Sequence, residues 1–248
     1  MNIKTFRGLI LAAGKGSRFQ SEAGKPFAKV LRPLLGKPMV KYVVDALKES
    51  GIDDITLIVG YQADQVMREM SQSFSYVTQT EQKGSGHAVM CAKDVFSNFD
   101  GHLIIMCGDS PMFRATTISR LMSAHIESEA VITLAVAELI DPTGYGRIIR
   151  DGSGSIRGIV EEKCAGEDER SIKEVNGGAY AFDSKWLFDN ISGMEINEAG
   201  EYNLTDMVRV AIEQRRIVSA VKCNPTELAG VNTPAQLAAV EEIIRGNK

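Results

Sequence analysis

The feature that most limits what this chain can become is a rhythm. Over its first half, short apolar runs alternate with segments of helical periodicity. Phe6 to Ala12 is an apolar run that leads into glycines, which predicts a buried strand entering a loop. Pro38 precedes Val40, Val43, Val44 and Leu47, whose i, i+3, i+4, i+7 spacing predicts an amphipathic helix. Ile55 to Val59 reads as a strand, Ala63 to Gln72 as a polar helix and Phe74 to Val77 as a short strand. A helix near His87 to Phe96, a strand from His102 to Met106, a helix over Thr116 to Ser128 and a strand at Val131 to Ala137 continue the series. Repeated βαβ units build an α/β fold with a mainly parallel sheet and helices on both faces. In such a sheet, ligands bind at the carboxyl ends of the strands.

From about residue 140 the rhythm breaks. Arg147 to Arg150, Ile156 to Glu161 and Val175 to Phe182 read as three short strands, the first two joined by the turn Asp151-Gly152-Ser153-Gly154. These later strands are expected to form a small β-rich cap over the main sheet. Helices are predicted at Ser184 to Ile191 and Leu204 to Gln214, then a strand at Ile217 to Lys222. A last helix is predicted from Pro234 to Arg245, with Leu237, Val240 and Ile244 on one face.

Composition removes several function classes. The 248 residues are 44% hydrophobic, enough for a sizeable core, and the formal net charge is −4. An acidic balance argues against coating a nucleic-acid backbone. The four cysteines (Cys91, Cys107, Cys164, Cys223) form no C-x-x-C pair, which excludes a zinc ribbon and a thioredoxin-type motif. Leu9 to Ala13 is too short for a signal-peptide core, and no stretch approaches the ~20 apolar residues of a membrane span. A cytoplasmic protein is expected.

The chemistry begins after the first strand, in Leu11-Ala12-Ala13-Gly14-Lys15-Gly16-Ser17-Arg18. Glycines let backbone N–H groups approach a phosphate, and the small Ala12 and Ala13 leave room for a flat base. Lys15, Arg18, Lys25 and Lys29 face only Glu22 between residues 15 and 29, a local positive excess in an acidic chain. Phe19 stands where G-x-G-x-x-G needs its third glycine, which disfavours a nicotinamide-dependent oxidoreductase, and the Walker A spacing is absent.

The opening loop, together with Leu35-Gly36-Lys37-Pro38-Met39, resembles that of the sugar-1-phosphate nucleotidyltransferases. Gln79 to Ala88 (QTEQKGSGHA) is similar to the uridine-binding segment of the bacterial N-acetylglucosamine-1-phosphate uridyltransferases. So are Gly108-Asp109-Ser110-Pro111, Pro142 to Ile148, Ile159 to Lys163, Glu174 to Gly178, Gly200 to Asp206 and Gly230-Val231-Asn232. The resemblance covers nearly the whole chain. It implies a Rossmann-like sheet with a sugar-binding cap in a single domain: a nucleotide-binding region over 1–139, a sugar-binding region over 140–233 and a C-terminal helix over 234–248. Those relatives usually continue into a left-handed β-helix acetyltransferase. No hexapeptide repeat is visible here, and no acetyltransferase activity is expected.

The resemblance also implies roles. Leu11, Ala12, Ala13 and Gly14 would line the base and ribose, and Arg18 the outer phosphates. Lys29 would be the phosphate lysine, with Lys25 as its rival. Gln79, Gly84 and Ser85 would recognise the base. Asp109 and Asn232 would hold Mg²⁺, for which one carboxylate and one amide oxygen, completed by phosphates, are adequate. Gly146, Glu161 and Asn176 would contact the sugar. The implied reaction takes UTP and N-acetylglucosamine-1-phosphate, or a related sugar-1-phosphate, to a UDP-sugar and pyrophosphate. Cys107, Gly177 and Asn203 depart from the relatives' usual Tyr, Thr and Tyr on the sugar side, so the nucleotide is the firmer half. His87 could pack or touch ligand, while His102 and His125 are expected to be ordinary surface or core-margin residues.

Overall fold

The computed structural model describes residues 5–16, 19, 26–71, 73–197 and 200–246. Strand β1 (Phe6–Ala12) lies between two parallel neighbours, β4 (Ile55–Val59) and β6 (His102–Cys107). A small two-stranded ribbon, β2 (Pro33–Leu34) with β3 (Lys37–Pro38), interrupts the path from β1 to α1 (Met39–Glu49). Helix α1 ends where Gly51 adopts φ +92°, the left-handed turn that a side chain resists, and Ile52 N–H closes onto the Leu47 carbonyl at 3.0 Å. Helix α2 (Ala63–Met70) leads to β5 (Ser75–Thr78), parallel to β4 at the sheet's edge.

The helix expected near His87 to Phe96 is two short ones, α3 (Ser85–Cys91) and α4 (Lys93–Phe96). Then come β6, α5 (Ala115–Glu127), β7 (Ile132–Glu138), β8 (Arg147–Arg150), β9 (Ile156–Val160), α6 (Glu167–Arg170) and β10 (Glu174–Asp183). Helices α7 (Ser184–Asn190) and α8 (Asp206–Glu213), strand β11 (Val218–Lys222) and helix α9 (Pro234–Gly246) complete the order.

Across the sheet the strands run β11-β7-β10-β6-β1-β4-β5. Along that path only β10 opposes its neighbours, pairing antiparallel with both β6 and β7. The sheet is therefore mostly parallel, as the alternation predicts. The later strands do not all lie in a cap: β10 occupies the middle of the sheet and β11 extends it beyond β7. Only the β8–β9 hairpin branches off, joined to β10 where Arg147 pairs with Val175.

Strand alternation sorts the core into two layers. Ile10, Leu57, Val59, Ile104, Met106 and Ala181 meet Val40, Val43, Val44 and Leu47 of α1 and Ile118 and Leu121 of α5 on one face. Leu9, Ile58, Leu103, Ile105, Leu134 and Phe182 meet α3, α7 and α8 on the other. Full burial of each such side chain contributes about 1.5–3 kcal/mol, which makes the centre of the sheet a rigid base for its loops. Leu237, Val240 and Ile244 of α9 pack on Leu34, Met39 and Val231, the face that their spacing predicts.

His125 lies deeper than the surface or core margin expected of it, and His102 sits beside it. Both are buried at the amino end of β6, with ring centroids 4.9 Å apart. His125 Nδ1 lies 2.9 Å from Thr133 Oγ1, while its Nε2 is buried without a partner. Burial, then the adjacent His102, pushes His125 down to about 3, so it is packed as a neutral ring.

Candidate active site

The carboxyl ends of β1, β4, β5 and β6 converge, because backbone bonds tie their loops together. Gly108 N–H donates to the Leu11 carbonyl at 2.9 Å, Tyr61 N–H to Ala13 at 3.1 Å and Gln79 N–H to Val59 at 2.7 Å. Between these loops lies a cleft of about 370 Å³, lined by Leu11, Ala13, Gly14, Lys15, Gly16, Lys29, Gln79, Gly84, Ser85 and Asp109. Ala12 lies beneath it in the core.

Two glycines of the opening loop differ in cause. Gly16 has φ +59°, and a Cβ there would come within 2.6 Å of Lys29 Cβ, so packing alone demands glycine. At Gly14 the φ is not positive and a Cβ would meet no heavy atom within 4 Å. Neither strain nor crowding accounts for glycine at that position, which suits a ligand lying on the backbone.

Lys29 enters on a short 3-10 turn, Lys29–Leu31, whose Val30 and Leu31 are buried. Its ammonium pairs with the Asp109 carboxylate and donates to Asn232 Oδ1 at 2.8 Å. Asn232 reaches β6 despite its distance in sequence because Val231 N–H donates to the Asp109 carbonyl at 3.0 Å. Three residues singled out in sequence thus meet at one point. Arg18 and Lys25 lie outside the described residues.

The two oxygens facing that ammonium are hard donors, one anionic and one neutral, and a cation already sits within reach of both. That chemistry fits Mg²⁺. Among the described residues no group of three or more His, Cys, Asp or Glu side chains is placed to hold a metal. A cation here would draw its remaining ligands from water and phosphate.

Gln79 is 3% exposed. Its amide nitrogen donates to the Gly84 carbonyl at 3.1 Å and lies 3.0 Å from His87 Nδ1. His87 therefore orients the amide. Gly84, at φ +98°, abuts the Tyr202 backbone, and a Cβ there would stand 2.9 Å from Tyr202 N. Ser85 Oγ accepts from Leu204 N–H at 3.0 Å, so this hydroxyl ties the loop to the segment that opens α8.

Gly146, Glu161 and Asn176 come together on the hairpin side. Asn176 N–H donates to the Gly146 carbonyl at 2.9 Å, and a Cβ at Gly146 would lie 3.4 Å from Glu161 Oε2. Glu161 Oε1 accepts from Thr205 Oγ1 at 2.8 Å. Asn176 sits where β10 bulges, between its pairing with Val136 and that of Tyr180 with Leu134. Its amide donates to Tyr180 Oη at 2.7 Å and accepts from Gly178 N–H at 3.2 Å. The bulge brings Gly177 against β7, where a Cβ would lie 2.9 Å from the Ala135 carbonyl; a threonine does not fit this backbone.

Sequence reasoning missed Thr205 and Tyr180, the partners of Glu161 and Asn176, because nothing in their spacing marks them as partners. It also missed Gln82 and Glu201, which line the cleft. Cys107 lines it too, yet removal from water, reinforced by the Asp109 carboxylate, pushes its thiol up to about 12. It stays protonated at neutral pH and offers no thiolate nucleophile.

Comparison with known proteins agrees with this geometry. The nucleotidyl transferase family model matches residues 7–224, most of the chain and all of the cleft's loops. The chain belongs to that family. This nucleotidyl transferase is 42% identical over 96% of its length to the bifunctional protein GlmU of Pelotomaculum thermopropionicum, and 41% identical over 96% to that of Geobacillus sp. strain WCH70. The chain spans about half the length of these relatives, 51% in each case. Among solved structures it superposes on UDP-glucose pyrophosphorylase complexed with UDP-glucose (TM-score 0.77, 18% identity, 99% of this chain and 100% of the other). It also superposes on a Bacillus anthracis protein described as a glucose-1-phosphate thymidylyltransferase (TM-score 0.78, 23% identity, 97% and 96%). At these identities the likeness shows the fold.

Proposed function

We propose that this nucleotidyltransferase moves a uridylyl group from UTP to N-acetylglucosamine-1-phosphate, or a related sugar-1-phosphate, with Mg²⁺, releasing pyrophosphate. The meeting of Lys29, Asp109 and Asn232 beside the glycine loop carries this reading. A sugar-1-phosphate oxygen is already anionic near neutral pH and attacks phosphorus without a general base. The protein's task is to hold two anions together and to stabilise charge as pyrophosphate leaves. Mg²⁺ held by Asp109 and Asn232 would supply Lewis-acid stabilisation of the phosphoryl oxygens. Lys29, with Arg18, would neutralise the outer phosphates.

Leu11 to Gly14 would carry the base and ribose. Gln79 fits uracil for a specific reason. Its amide nitrogen is spent on Gly84 and His87, so the oxygen is left to accept from a base. Uracil offers N3–H, whereas cytosine has no proton on that ring nitrogen. Gly84 would shape this wall and Ser85 would fix it to the start of α8. Gly146, Glu161 and Asn176 would face the sugar. We read the chain as one unit in which residues 1–139 bind the nucleotide, residues 140–233 bind the sugar and helix α9 packs back onto the first of these regions. The packing of α9 on Leu34 and Met39 supports that reading.

The test is a matrix of four nucleoside triphosphates against a panel of sugar-1-phosphates with Mg²⁺, scoring pyrophosphate. The highest turnover is expected with UTP and N-acetylglucosamine-1-phosphate. Asp109→Ala is expected to lower it by about 100–1000-fold with its melting temperature preserved. UTP binding with no pyrophosphate from any acceptor would make the chain a sensor instead. Near-normal turnover of Asp109→Ala would remove the metal assignment.

A further inference from the structure

We infer that Lys29 holds the position a divalent cation must take, so that the cation site opens only when a nucleotide's phosphates draw the lysine away. This rests on the Mg²⁺-dependent reading above and adds an order of arrival to it. The Lys29 ammonium contacts both oxygens that a cation would need: it pairs with Asp109 and donates to Asn232 Oδ1 at 2.8 Å. Two positive centres cannot share those oxygens, because their repulsion at such a separation is large where water is scarce. Water is scarce here: the Lys29 and Asp109 side chains are only 12% and 21% exposed.

The lysine is built to leave without moving the backbone. Buried Val30 and Leu31 pin its turn, and Arg32 N–H donates to the Lys29 carbonyl at 3.0 Å. Its four-carbon stem lies against Gly16, where the missing Cβ leaves room for it beside the glycine loop. A swing of that stem carries the ammonium from Asp109 towards the loop. A triphosphate on the loop would then replace both lost contacts with stronger anionic ones. Nucleotide and cation are in this way coupled through one side chain.

The test measures Mn²⁺ binding to the full chain by calorimetry, without nucleotide, for the parent, Asp109→Asn, Lys29→Met, Lys15→Met and the double variant Lys29→Met/Asp109→Asn. Lys15 lines the same cleft, so its variant controls for the simple loss of one positive charge. Lys29→Met is expected to bind Mn²⁺ at least about tenfold more tightly than the parent, Lys15→Met less than about threefold more tightly, and the double variant no better than the parent. Lys29→Gln repeats the measurement, and circular dichroism confirms folding. Equal Asp109-dependent binding in the parent and Lys29→Met would overturn the inference and leave the metal assignment standing. Absence of Asp109-dependent binding in every variant would overturn both.

Discussion

On the loops after β1 and β5 the chain presents backbone and open space, whereas on the β8–β10 side its polar side chains already bond one another. Gly14 has nothing within 4 Å of where its Cβ would be, and the Gln79 amide is held ready by Gly84 and His87. Across the cleft, both ends of the Asn176 amide are spoken for, and Glu161 is taken by Thr205. A base and ribose on the first side dock without breaking a contact, and only the phosphates have one to displace, that of Lys29 with Asp109 and Asn232. On the second a ligand must replace bonds that exist, and a group that fails to do so leaves half-buried polar atoms unpaired. On the proposed reading, discrimination between similar acceptors would belong to the hairpin side.

The largest effect that follows is at Glu161. Glu161→Ala should reduce kcat/KM for the sugar-1-phosphate by about 100-fold while the nucleotide KM stays within about twofold. Equal losses on both substrates would erase the division of labour. The two glycines of the other side come next. Gly14→Ala should raise the nucleotide KM by about tenfold and leave the melting temperature unchanged, because only a ligand meets the new methyl. Gly84→Ala should lower the melting temperature by several degrees, since φ +98° and the Tyr202 backbone both resist a side chain. A melting temperature that falls for Gly14→Ala would show the open space to be filled.

The smallest effect lies far from both walls. His125 is folded as a neutral ring with its pKa down at about 3 from 6.5, so its contribution is present above pH 6.5 and is lost as pH falls towards 3. Between pH 7 and pH 6 that loss amounts to roughly 0.7 kcal/mol. Denaturant titrations at the two pH values should show it, and His125→Gln should flatten the difference. Turnover per folded molecule should not share this dependence.

Much of this is legible in the residues. Apolar runs and the i, i+3, i+4, i+7 spacing give nearly every strand and helix, because burial on two faces of a sheet writes itself as periodicity. Strand neighbours are not written that way. Val175 to Phe182 reads as a strand, but nothing local says that it lies between β6 and β7. Lys29, Asp109 and Asn232 stand out in motifs, yet the bond that joins them runs through the Val231 and Asp109 backbone, which no side-chain pattern reveals. His125 reads as a surface or core-margin residue because histidine is polar. Its burial depends on Thr133 and His102, which only the packed fold brings alongside.

The central place of β10 has a consequence for how the chain is made. β6 and β7 are consecutive strands that do not pair with each other, and the element that joins them is synthesised some forty to seventy residues later. A ribosome that has released β7 exposes two unpaired strand edges until residue 183 emerges, and β7 waits longer still for β11 on its outer flank. Closure of the sheet is a late, long-range event, slow by the logic of contact order, and the nascent intermediate is the form most exposed to aggregation.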